Sequence, residues 1–175
     1  SYDLAVETLR DLKELAIYTA KVARKHIKDQ EEFFEFDLRD KIQFIVYNKQ
    51  SHFKQSNVGL SLENGEIGGI TNIMGSKVYI YFNGDHADFN RQIKEGIAQV
   101  LINQQVFGAN WRQVLKNSSL FSIPEWYSKG LTSYMSNKWS PEIENSVRDG
   151  ITSGKYKKFN RLSDNDAILA GHSLW

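Results

Sequence analysis

The sequence predicts an α+β domain: a long N-terminal helix, then a small mixed or antiparallel sheet, then a helical C-terminal part. Three observations predict it. Apolar residues recur every three or four positions from Asp3 to Lys28, β-branched and aromatic residues crowd 41–47 and 77–82, and only helical spacing continues beyond Asp85. Strands followed by helices, without regular alternation, argue for segregated elements and against βαβ units.

The long helix is predicted from Ala5, Leu9, Leu12, Ala16, Ala20, Ala23 and Ile27, which share one face, and the alanines imply close packing there. Glu31 to Asp40 is a polar and aromatic connection in which Phe34 and Phe36 alternate as in a short strand. Lys41 to Tyr47 is apolar on both faces and reads as an interior strand, followed by a helical turn around His52 to Ser56. Asn57 to Gly69, with its Asn64-Gly65 signal and Gly68-Gly69, reads as hairpin and turn. The Lys and Ser/Thr that complete a phosphate-binding loop do not follow these glycines. Ile70 to Met74 and Lys77 to Phe82 are the remaining strands, the second set by Val78, Ile80 and Phe82.

Asp85 is a suitable N-cap for a helix whose inner face is Phe89, Ile93, Ile97, Val100 and Leu101, stopping before Gly108. A short helix over Asn110 to Lys116 would turn Trp111, Val114 and Leu115 inward. Pro124 suits the first position of the next helix, Ser140-Pro141 opens another that runs to about Thr152, and Ser163 with Asp166 caps the last.

A length of 175 residues suits one domain, 1–175. With 22 Lys+Arg against 21 Asp+Glu, the net charge of +1 gives no electrostatic case for nucleic acid or anionic lipid. The chain has no cysteine, which excludes disulfides, thiol catalysis and thiolate metal sites. Nothing in it approaches the roughly 20 apolar residues of a membrane span. It starts at Ser1 without a signal-like stretch and stops on Trp175, so it is expected to be part of a longer protein.

Two stretches carry the functional reading. Phe89 to Leu101 contains Glu95-Gly96-Ile97-Ala98-Gln99, framed by Ile93-Lys94 and Val100-Leu101, and Ile123 to Tyr134 contains Pro124, Trp126 and Lys129-Gly130-Leu131-Thr132. In this order they resemble the zinc helix and the following ligand helix of the gluzincin superfamily, the MA-type peptidase-like domains of thermolysin-like, zincin-like fold common in bacterial envelope proteins. The resemblance covers roughly Leu38 to Tyr134 and extends weakly to Gly171-His172-Ser173-Leu174-Trp175. A working His-Glu-x-x-His site needs two imidazoles one helical turn apart and a Glu as general base. Here Glu95 stands for the first His, Gly96 for the base, Gln99 for the second His, and Lys129 for the Glu ligand.

The resemblance therefore implies a degenerate metal site: no zinc, no cofactor and no catalytic residue. It implies a pseudopeptidase serving as a peptide-binding, protein-binding or scaffolding module in a bacterial envelope protein, in the periplasm or cell envelope. A repeat or propeller domain is expected downstream. The alternatives are a hydrolase with an unrecognised site and a structural spacer. Glu95 and Lys129 are charge-complementary, so they either pair where the metal would sit or face solvent separately. Tyr79, Tyr81, Trp126 and Tyr127 are the candidate wall of a binding cleft, although aromatics at such spacing also build cores.

Other candidates have simpler explanations. The four histidines His26, His52, His86 and His172 share no ligand spacing and read as surface or packing residues. Asp85-His86-Ala87-Asp88 reads as a helix cap, and Lys155 to Lys158 as a solvated loop. The Gly-x-Ser-x-Gly elbow of serine hydrolases is missing.

Overall fold

A computed structural model of the chain describes residues 2–55, 72–74, 77–107, 124–162 and 164–175. The expected Asn57 to Gly69 hairpin, the Gly108 stop, the short helix over 110–116 and the Ser163 cap lie outside these residues. The elements confirm the α+β class. They are α1 (Tyr2–Phe34), β1 (Gln43–Tyr47), α2 (Gln50–Gln55), β2 (Asn72–Met74), β3 (Lys77–Tyr81), α3 (His86–Phe107), α4 (Glu125–Ser136), α5 (Pro141–Thr152), a 3₁₀ segment (Lys155–Arg161) and α6 (Asp164–His172). The chain divides into two compact units, 1–100 and 101–175, and α3 runs from one into the other.

In the first unit α1 outruns its predicted end at Lys28 and stops only at Phe34, so the strand expected around Phe34 and Phe36 does not form. Glu35 adopts a left-handed conformation (φ 49°), its N–H donates to the Glu32 carbonyl, and Phe36 N–H donates to the Glu31 carbonyl. These two bonds form a Schellman close without the usual glycine. The Glu31 carboxylate also accepts from the Leu38 N–H at 2.7 Å. The buried stripe of α1 is rotated from the predicted one. Ala16 and Ala20 are exposed, while Thr19, Ala23 and Gln30 are buried and Leu12, Leu15, Val22 and His26 are half-buried. An alanine contributes little apolar area, so the larger side chains set the inward direction.

The sheet is mixed, in the order β1-β3-β2, with β1 parallel and β2 antiparallel to β3. Among the described residues β1 therefore lies at an edge, not in the interior. Its apolar residues on both faces have another cause: α1 and α2 both contact it. Alternation on β3 works as predicted, with Val78 and Ile80 fully buried on one face. On the other face Tyr81 meets Phe53 of α2, ring centroids 5.5 Å apart.

The Asp85 side chain caps α3, accepting from the N–H groups of Ala87 at 2.7 Å and Asp88 at 3.3 Å. Phe89, Ile93, Ile97, Val100 and Leu101 are all completely buried, as their spacing predicts. Within the first unit α1 is tied to α3 by polar side chains: His26 Nε2 lies 2.8 Å from Asn90 Oδ1, and Gln30 Nε2 donates to the Lys94 carbonyl at 3.0 Å.

The second unit centres on the α4–α6 pair, which cross at Gly130 and Gly171. A methyl group added at Gly130 would collide with the Gly171 backbone, and one at Gly171 would collide with the Trp126 carbonyl. Pro124 sits one position earlier than expected, at the N-cap of α4. Ser140 caps α5, its Oγ accepting from Ile143 N–H at 3.3 Å, and Pro141 takes the first turn. The run Lys155 to Lys158 is part of the 3₁₀ segment, not a loop, and Lys155 pairs with Asp166 at 2.7 Å.

Candidate functional site

The positions that the resemblance singles out on α3 follow from its register. Glu95 and Gln99 are one turn apart, so they share a face, and both are half-buried. Gly96 is buried and contributes no side chain. The Glu95 carboxylate is held by Arg91, Nη1 to Oε2 at 2.9 Å, while Nη2 of the same guanidinium donates to Asp88 at 2.6 Å. Burial opposes the Arg91 cation, but the Asp88 hydrogen bond and the charges of Glu95 and Asp88 outweigh it and raise its pKa. Arg91 was not singled out in the sequence, although Asp88, Arg91 and Glu95 at i, i+3 and i+7 are the signal that finds it.

Lys129 is half-buried on α4 in the second unit. Within the first unit Glu95 pairs with Arg91. Among the described residues no group of three or more His, Asp or Glu is placed to hold a metal ion.

The aromatic candidates also divide between the units. Tyr81 is 5% exposed, and its hydroxyl accepts from Gln50 Nε2 at 3.1 Å, so it is a core ring with a satisfied polar end. Tyr79 is half-buried. In the second unit Trp126 packs on Phe159 with centroids 4.9 Å apart, and Tyr127 packs on Trp175 at 5.2 Å.

The first unit also contains a cleft of about 690 Å³ that local sequence patterns do not reveal. Its residues come from three places: Glu14, Leu15 and Tyr18 on α1; Asn48, Lys49 and His52 after β1; and Phe82 and His86 after β3. Because β1 and β3 are parallel, both chains leave the sheet at the same end, which brings positions far apart in sequence to one opening. The His86 ring lies 5.0 Å from Phe82 and 5.3 Å from Tyr18, and both of those rings contact the buried Phe89. Asn48 Oδ1 holds His52 Nδ1 at 2.9 Å.

His26 and His172 are packing residues, as their isolation suggests. His172 is 3% exposed, lies beside Tyr134 and Trp139, and has Ser133 Oγ 3.0 Å from Nδ1. Desolvation lowers its pKa. In His26 desolvation also lowers the pKa, against the opposing hydrogen bond to the Asn90 carboxamide oxygen.

No protein-family model, curated protein or solved structure matches the chain. No helix among the described residues is long and apolar enough to cross a membrane.

Proposed function

We propose that the chain is a catalytically inactive metallopeptidase-like domain of zincin-like fold, acting as a binding or scaffolding module in a larger bacterial envelope protein. One observation carries this reading. At the α3 positions where a zinc helix needs imidazole and a general base, the Glu95 carboxylate is held by Arg91 at 2.9 Å and Gly96 is buried without a side chain. Activating water requires a positioned lone pair, and a carboxylate engaged by a guanidinium is a poor base. Lys129 adds a cation with no lone pair where the resemblance would have a carboxylate ligand.

Metal content and peptidase activity test the proposal. After incubation with zinc and gel filtration, elemental analysis should find far less than one zinc per chain, and a mixed peptide library should stay uncleaved. Stoichiometric zinc with chelator-sensitive cleavage would establish the hydrolase alternative. Fractionation of cells producing the full-length protein tests the envelope assignment, with recovery in the cytosol as the adverse result.

A further inference from the structure

We propose that the cleft of the first unit binds the carboxyl-terminal end of a peptide whose last residue is aromatic and which also carries a positive charge. The inference goes beyond the proposed function and uses none of Glu95, Gly96, Gln99 or Lys129. Its grounds are size, a fixed aromatic floor and charges of both signs without ion-pair partners among the described residues.

A volume of about 690 Å³ falls within the range of small-ligand sites, roughly 300–1,000 Å³. Leu15, Tyr18 and Phe82 supply apolar surface, and the Tyr18 and Phe82 rings are both held against the buried Phe89. An aromatic ligand side chain would meet rings already in place, so little ordering is required on binding. His86 contacts both rings and leaves its nitrogens without a hydrogen-bond partner among the described residues.

The charges select the rest of the ligand. Glu14 and Lys49 are exposed, stand on different walls, and have no ion-pair partner among the described residues. A polyanion such as a nucleotide would face Glu14 unfavourably, and a simple aromatic cation would leave Lys49 unused. A ligand with one carboxylate and one cation around an aromatic body satisfies both walls. The carboxylate belongs with Lys49 and the neighbouring His52, whose ring Asn48 holds in place, and the cation belongs with Glu14.

The probe is N-acetyl-Lys-Ala-Phe with a free carboxylate, titrated into the whole chain while the ring signals of His52 and His86 are followed by NMR. Both rings should shift saturably. Amidating the peptide's carboxylate should weaken binding roughly three- to fivefold, the scale of an exposed ion pair. Lys49→Ala should abolish the preference for acid over amide, and Glu14→Gln should abolish the preference for N-acetyl-Lys-Ala-Phe over N-acetyl-Ala-Ala-Phe. Both positions are exposed, and the peptide-side changes test the same contacts without altering the protein. Rings that stay unmoved at millimolar peptide, or equal affinity for acid and amide, would overturn the proposal. So would phosphatidylcholine vesicles that shift these rings where the peptides do not, since a zwitterionic lipid surface would then be the occupant.

Discussion

Gln92 pairs with both main-chain groups of Tyr81: its Oε1 accepts from Tyr81 N–H at 3.1 Å and its Nε2 donates to the Tyr81 carbonyl at 3.0 Å. The Gln92 carboxamide thus pairs with the Tyr81 main chain as a neighbouring strand residue would. It is fully buried, and it also donates to Asp88 at 3.0 Å. Replacing it with leucine should keep the volume but leave two buried backbone groups without these partners. The expected loss is about 2–4 kcal/mol in urea unfolding. Gln92→Glu should be worst at neutral pH, because a carboxylate cannot donate to the carbonyl and would face Asp88. A burial-raised folded pKa makes its stability recover as the pH falls.

Arg91 bridges Asp88 and Glu95 with three side chains each about a quarter exposed. Arg91→Ala should cost about 1 kcal/mol, with the difference shrinking in 1 M salt. Arg91→Lys should recover only part of it, because one ammonium cannot reproduce a fork directed at two carboxylates. A variant as stable as the parent at low salt would show that the bridge is energetically idle.

Gly130→Ala and Gly171→Ala should both destabilise the second unit, although alanine favours helix by about 1 kcal/mol. Each new Cβ would meet backbone atoms across the α4–α6 crossing, which cannot rotate aside. A net loss of about 1–3 kcal/mol is expected, read as a lower midpoint of thermal unfolding. An unchanged midpoint for both would mean that the helices can separate at no cost.

His172 makes stability depend on pH. Its folded pKa lies below the ordinary 6.5, so the unfolded chain binds the proton more readily. Its contribution is complete above pH 6.5 and is lost as the pH falls below that value towards the folded pKa. His26 has a shift of the same sign. Urea titrations should show stability declining as the pH falls below about 6.5, and His172→Phe should flatten that slope. An unchanged slope would remove His172 as its cause.

The elements legible in the sequence were those in which periodicity, capping and burial agree. Phe89, Ile93, Ile97, Val100 and Leu101 all went to the core, Asp85 capped their helix, and Ser140-Pro141 opened α5. Prediction erred where small residues set the apparent stripe, as with Ala16 and Ala20, and where apolar residues on both faces suggested an interior strand for β1, which lies at an edge among the described residues. Gln92 carries no local signal, because its partner is the main chain of Tyr81, eleven residues away on β3. The cleft was hidden for a similar reason. Parallel strand pairing brings Lys49 and His86 to one end of the sheet, α1 adds Glu14, and each alone reads as an ordinary exposed side chain.

The crossing of α4 and α6 has a consequence for docking register. Trp126, Gly130 and Gly171 meet at a single point, with Lys129 and Leu131 on either side along one helix and Ala170 and His172 along the other. Slipping either helix by one residue would put a side chain where only backbone fits. The pair thus behaves like a key with one notch: segments some forty residues apart seat where the two glycines meet, and a one-residue slip is excluded because a side chain would strike main chain.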